Sequence, residues 1–343
     1  MSKKSNIAIA GATGFVGIEL IKGLYNHPNV NIKHLFVKES IDEDIYKNLP
    51  KNIKNLPELK KINLDLINEC DVFFPALPHA ELHKIAKEIS TNVVVIDLSA
   101  DYRLKDIDTY EKWYKIKHES PDLQKKSVYG LSEIFRNDIK QSNLIACPGC
   151  YPTSILLPLY PLVKNNLIDL NNIIADSKSG YSGAGKKIYN NDQYPNLDEN
   201  IAIYGVGNHR HMPEIDSYLS LFSGKNVSIS FTPHLIPTFR GMLSTIYIRS
   251  QKTIEDLFNA LSNTYKDEPF ISVYNSKMIN TFEVVNTNKA LISLHKSNIK
   301  DSFILSCSID NLLKGAAGQA IQNFNIRFGF EETQGLVLWR YLI

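Results

Sequence analysis

Residues 6–27 read NIAIAGATGFVGIELIKGLYNH. A short apolar run of strand-forming character stops at Gly11, and beyond it Val16, Leu20, Ile21 and Leu24 recur at helical spacing. The stretch therefore predicts strand, glycine turn and helix in that order. Gly11, Gly14 and Gly17 form G-x-x-G-x-x-G between the two, where glycines let main-chain N–H groups approach a pyrophosphate and the helix N-terminus favours its charge. An acidic residue for an adenosine ribose is expected about 20 residues on. Lys38, Glu39 and Ser40 stand there: Glu39 argues for NAD, whereas Lys38 and Ser40 suit a 2′-phosphate.

Working outward, strand-like runs recur at IKHLFVK (32–38), DVFFPAL (71–77) and NVVVIDLS (92–99), with a helical stretch, HAELHKIAKEIS (79–90), between the last two. Alternating strands and helices predict an α/β fold, a Rossmann-type doubly wound parallel sheet, over residues 1–149. The asparagine- and lysine-rich piece 42–63 reads as a solvated loop. From about residue 170 the texture changes: NIIADSKSG, VSISFTPHL, LSTIYIR and ALISLH read as strands separated by irregular pieces. Residues 150–309 are thus expected to form an α+β catalytic domain with a mixed sheet. The tail DNLLKGAAGQAIQNFNIRFG regains helical period, with Leu312, Ala316, Ala320 and Phe324 four apart, so the segment 310–343 is expected to return to and complete the first domain.

Composition excludes several classes. Thirty-eight basic and 36 acidic residues are interspersed, giving a net charge of +2 and no broad field for nucleic acid or a membrane surface. No apolar run approaches a membrane span, and the lysines near the start precede too short an apolar stretch for a secretory signal. Four cysteines are too few for a secreted disulfide framework, which points to a reducing, cytoplasmic compartment.

Two of those cysteines lie in ACPGCYPTS (146–154). Cys150 precedes a run suited to a buried helix with Pro152 in its first turn, where a thiolate meets free N–H groups and the helix dipole. Pro158 is expected to bend or interrupt that helix. A C-x-x-C redox pair of Cys147 with Cys150 is the competing reading, and zinc would need a second C-x-x-C that is missing. Downstream, YGVGNHRHMPEI (204–215) supplies His209, Arg210, His211 and Glu214: an imidazole for acid and base work and a guanidinium for an anion. The H-x-H pair lacks a third ligand, so no metal is expected. A second glycine loop, KSGYSGAGKK (178–187), mimics a nucleoside triphosphate loop but has Lys187 where the Mg²⁺-binding Ser or Thr belongs, which rejects an ATPase.

Taken together, GATGFVG, DLSADYRL, YGLSEI, PGCYPT, SGYSGAGKK, HRHMPEI, PHLIPTFRGM and DNLLKGAAGQAIQN, in this order from first strand to last helix, resemble the N-acetyl-gamma-glutamyl-phosphate reductases of the aspartate-semialdehyde dehydrogenase superfamily. The resemblance implies NADP-dependent reductive dephosphorylation of a small acyl phosphate in arginine biosynthesis, through a thioester on Cys150 with His211 as acid and base and His209 as the second choice. It implies substrate contacts from Arg103, Arg210, Arg240 and His209. Cofactor contacts would come from Gly11, Thr13, Gly14, Phe15, Val16, Gly17, Lys38, Ser40, Pro78, Ser99, Ser182, Gly183, Gly185, Asn311 and Gln319, the last two at the nicotinamide amide. A homo-oligomer, dimer or tetramer, is expected on the same ground. Cys147 replaces the asparagine usual before PGC in this family, which makes an oxidative bridge to Cys150 conceivable. A carrier-bound aminoadipyl-phosphate reductase of lysine biosynthesis and a non-catalytic NAD(P)-sensing protein stay open as alternatives.

Overall fold

The strong central strands of both halves organise the chain. The computed structural model describes residues 4–38, 44–186, 188 and 196–336. They divide into two compact units, Met1–Pro148 with Ala316–Leu336, and Gly149–Gly315.

In the first unit, β1 (Ser5–Ala10), α1 (Phe15–Tyr25), β2 (Val30–Val37), β3 (Leu59–Lys61), α2 (Leu64–Asn68), β4 (Val72–Pro75), α3 (Leu82–Ile85) and β5 (Val94–Asp97) alternate as the periodicity predicts. After them come α4 (Ile107–Tyr114), α5 (Pro121–Lys126), β6 (Val128–Tyr129), α6 (Ser132–Ile139) and β7 (Leu144–Ala146). The strands form one parallel sheet in the order β3-β2-β1-β4-β5-β7-β6. Ile7, Ile9, Val72, Phe74, Val94 and Ile96 bury one face of it and Ala8, Ala10, Phe36, Phe73 and Val95 the other, the two-sided burial that a doubly wound sheet requires. The order reverses between β1 and β4, which makes the crevice at their carboxyl ends the place for a ligand. The piece expected to be a loop contains the edge strand β3, where Leu59 pairs with Leu35 beneath lysine-rich neighbours too short to register as a strand pattern.

The second unit contains α7 (Cys150–Lys164), β8 (Ile174–Gly180), β9 (Ala202–Ile203), α8 (Met212–Ser223), β10 (Ser230–Ile236), β11 (Met242–Arg249), α9 (Ile254–Tyr265), β12 (Ile271–Asn275), β13 (Ala290–Lys296) and β14 (Ser302–Ile309). Its sheet runs β12-β13-β14-β11-β8-β10-β9 and is mixed. Beneath α7, the hydroxyls of Ser154 and Ser177 each lie 2.7 Å from that of Ser244, so the buried polar groups of helix and sheet satisfy one another. A π turn at Leu313–Ala317 leads into α10 (Gly318–Phe328), which packs on α1 and α6 in the first unit.

Helix α7 runs through Pro158 without the interruption that was one of the two expected outcomes, and through Pro161 as well. The carbonyl of Leu157, deprived of its usual donor by Pro161, accepts the Tyr265 hydroxyl at 2.5 Å instead. Among the described residues no helix is long and apolar enough to cross a membrane.

Candidate active site

The glycine turn comes first because β1 delivers it to the switch point. Gly11 has φ +73°, and a Cβ there would stand 2.1 Å from the carbonyl oxygen of Ala76, at the end of β4. A Cβ on Gly17 would stand 2.2 Å from the oxygen of Gly11. Only a glycine at each lets turn, helix and β4 approach this closely. Gly14 is the extended N-cap of α1 and no side chain caps the helix, so its first turn faces an anion with main-chain donors alone. Thr13, Gly14, Phe15 and Val16 are partly exposed around it, and the arrangement fits a diphosphate. Lys38 follows β2 with its ammonium 3.5 Å from Glu81. Ser40, expected beside it, lies outside the described residues.

Pro78 and Ser99 belong to two segments that are latched together. Asp101, fully buried, accepts the amides of Ala80 at 2.7 Å and His83 at 3.1 Å, while Ala100 donates to His79 Nδ1 at 3.2 Å. Ala80 is held at φ +65°, a conformation it would not choose unaided. Pro78 is exposed on this rim and Ser99 is buried with its hydroxyl accepting the Asp101 amide. Asp101 stands inside the DLSADYRL block, but nothing in its local sequence marks it as this latch. Asp97, also buried, is pushed above the ordinary carboxylate range by burial and by Asp101.

Arg103 is the arginine expected to meet a substrate anion. It is 5% exposed, and its Nε donates to the Cys147 carbonyl at 2.7 Å and one terminal nitrogen to Leu98 at 3.2 Å. These two donors tie the loop after β5 to the one after β7. Gln319 is fully buried in the first unit, its amide nitrogen donating to Gly130 O and Ser132 Oγ while its Oε1 is buried with no hydrogen-bond partner among the described residues. Asn311 belongs to the second unit, where it donates to Ser182 Oγ at 2.9 Å and accepts the Gly241 amide at 2.8 Å. It fastens the 180–185 glycine loop to β11. In that loop Gly183 sits against Ser179 Oγ and Gly185, at φ +75°, has open space around it.

The described surroundings of Cys150 lie within the second unit. Cys150 is the first residue of α7, half-buried, and Gly149 before it is an extended N-cap with no side-chain cap. A Cβ on Gly149 would meet His211 Nε2 at 2.5 Å, so this imidazole rests on the main chain beside Cys150. From the other side Gly315 closes in, its notional Cβ 2.8 Å from that of Cys150. Glu214, buried on the first turn of α8, accepts the Gly149 amide at 2.9 Å and ties the two helix starts together. Only its spacing of three from His211 marks Glu214 in the sequence, and that spacing does not name the Gly149 amide as its partner.

His209 packs edge-on to Tyr151 and Phe231, and burial, then the Arg210 charge, push it down to about 4. Arg210 is exposed. Arg240 is gripped by the fully buried Asp310, Nε to Oδ2 at 2.7 Å, and donates to Asn286 at 2.8 Å. Burial raises the thiol of Cys147 to about 12 and that of Cys70 to about 11, and it drives Cys307 up as well. All four cysteines are free. Among the described residues no group of three or more His, Cys, Asp or Glu side chains could hold a metal ion.

This geometry agrees with what the chain resembles. A family model described as semialdehyde dehydrogenase, NAD binding domain, matches residues 6–142, and one described as semialdehyde dehydrogenase, dimerisation domain, matches 150–311. Aspartate semialdehyde dehydrogenase II of Vibrio cholerae, 16% identical, shares the fold with a TM-score of 0.69 over 96% of this chain and 99% of that one. The N-acetyl-gamma-glutamyl-phosphate reductase of Clostridium beijerinckii is 46% identical over 97% of this chain and 98% of its own length. That of Ehrlichia ruminantium is 42% identical over the whole of both. A glycine turn at an uncapped helix start, a cysteine at another and this degree of likeness together mean that the chain belongs to the N-acetyl-gamma-glutamyl-phosphate reductase family.

Proposed function

We propose that this protein reduces N-acetyl-L-glutamyl 5-phosphate to N-acetyl-L-glutamate 5-semialdehyde with NADPH, in arginine biosynthesis. The observation that carries the reading is Cys150 at the uncapped start of α7 with the His211 ring resting on Gly149. In the forward direction the sulfur of Cys150 attacks the acyl carbon; a C–S bond forms, the C–O bond to phosphate breaks, and phosphate leaves with the electron pair. His211 takes the thiol proton as the sulfur attacks, donates a hydrogen bond to the tetrahedral oxygen, and returns the proton to sulfur when the aldehyde departs. A bound nicotinamide cofactor supplies the hydride that reduces the thioester. The α1 turn would hold its diphosphate, with Lys38 and Ser40 at the 2′-phosphate. Arg210 and Arg240 would meet the substrate's anionic groups, since guanidinium matches both carboxylate and phosphate.

The four free thiols suit a reducing cytoplasm. The dimerisation-domain description of the second family model supports a homo-oligomer, and the substrate is a small molecule rather than nucleic acid or membrane. The test is phosphate-dependent reduction of NADP⁺ by N-acetylglutamate semialdehyde. It should be lost in Cys150→Ser, and incubation with the acyl phosphate should leave an acyl adduct on Cys150 by mass spectrometry. Turnover only with an aminoadipyl semialdehyde carried on a protein, or undiminished turnover in Cys150→Ser, would overturn the reading.

A further inference from the structure

We propose that His209 is a positioning residue whose side chain seats the main chain of His211 and thereby fixes the His211 ring on Gly149 beside Cys150. The inference rests on the reading that Cys150 and His211 carry the chemistry. Its basis is one hydrogen bond and the box around it. The His211 amide donates to His209 Nδ1 at 3.1 Å, immediately before α8 begins. Nδ1 is therefore the acceptor, which assigns the ring proton to Nε2.

The ring has little freedom to do anything else. His209 meets Tyr151, Tyr204 and Phe231 edge-on at centroid distances of 5.5, 5.4 and 5.5 Å, and His211 at 4.8 Å. The Tyr204 hydroxyl donates to that of Tyr151 at 3.0 Å, which in turn donates to the His234 carbonyl at 3.1 Å, so two walls of the box are pinned to each other and to β10. The Gly205 main chain closes a further side, its notional Cβ 3.1 Å from the ring.

Charge agrees with geometry. The titratable groups facing the ring are Tyr151, Tyr204 and His211, with Arg210 next in sequence. Burial and Arg210 keep His209 neutral through the physiological range, and only the neutral ring offers Nδ1 as an acceptor. A proton-transfer group needs to titrate near the working pH, which His209 does not. Of the H-x-H pair, one imidazole rests on Gly149 next to Cys150 and the other holds it there.

Two variants separate the hydrogen bond from the packing. His209→Asn supplies an amide oxygen near the position of Nδ1 but no ring; His209→Phe supplies a ring but no acceptor. Cys150 alkylation by iodoacetamide, followed by mass spectrometry from pH 6 to 9, reads the placement of His211 without any substrate. NADP⁺ reduction adds kcat and KM. Positioning predicts that His209→Phe slows alkylation and kcat about tenfold or more, moves the alkylation profile to higher pH and leaves KM for NADP⁺ unchanged, while His209→Asn stays within about threefold of the parent. A fully active His209→Phe with a crippled His209→Asn would overturn the proposal in favour of ring packing. Equal loss of turnover in both with an unmoved alkylation profile would overturn it in favour of direct chemistry by His209. Absence of turnover in the unmodified protein would sink the proposed function and leave the alkylation arm to decide this inference.

Discussion

Helices α1 and α7 begin in the same way and suit different anions. Each follows a strand, and each is capped by an extended glycine with no side-chain cap: Gly14 at φ −70°, ψ 163° and Gly149 at φ −65°, ψ 154°. The field at both ends favours negative charge. What surrounds each glycine differs. Around α1 the notional Cβ atoms of Gly11 and Gly17 strike main chain, which cannot yield; around α7 that of Gly149 strikes the His211 ring, which can. A diffusible diphosphate needs side chains removed so that backbone donors are exposed. A thiolate fixed at the first helical residue needs a neighbour to manage its proton.

Substitutions can break that contrast. The largest effect is expected from Gly149→Ala, whose backbone angles suit alanine but whose methyl would displace the His211 ring. Turnover should fall about a hundredfold with KM for the cofactor and the melting temperature nearly unchanged; a large loss of stability instead would show that the contact is structural. Gly17→Ala acts in the opposite sense. Its methyl must push apart the turn it sits under, costing about 1–3 kcal/mol in denaturant unfolding and raising KM for NADPH, while Cys150 alkylation stays at the parental rate. Smaller again is Lys38→Ala: loss of one exposed cation should raise KM for NADPH about fivefold, roughly 1 kcal/mol, and leave KM for NADH alone.

Local pattern carried the parts of this contrast that depend on neighbours in sequence. The strand, glycine turn and helix of residues 6–27, the parallel sheet and the helix start at Cys150 are all short-range consequences of periodicity and residue type. Family resemblance, rather than periodicity, singled out His211. What escaped depends on partners distant in the chain. Glu214 reaches an amide 65 residues away, Asp101 reaches back 21 residues to hold Ala80, and Arg103 reaches forward 44 residues to the Cys147 carbonyl. Gln319 carries an amide in a stretch rich in amides, and nothing local says that Gly130 and Ser132 take it. In each case a buried donor or acceptor found a partner far along the chain, and only the tertiary fold says which.

The prolines of α7 provide the subtlest test of the same contrast. Helix α1 has none and keeps its own ladder; α7 carries Pro158 and Pro161 and relies on the Tyr265 hydroxyl for the Leu157 carbonyl. Tyr265→Phe removes that donor while preserving the ring, so a buried carbonyl loses its partner at a cost of about 1–3 kcal/mol, read as a lower denaturant midpoint. Pro161→Ala restores the main-chain N–H that an ordinary helix would use. In the Tyr265→Phe background it should recover most of the loss, whereas in the parent it competes with the tyrosine for one acceptor and gains little. That non-additivity is the signature of a helix whose missing hydrogen bond was replaced from outside. Simple addition of the two effects would mean that burial alone holds α7 through its prolines.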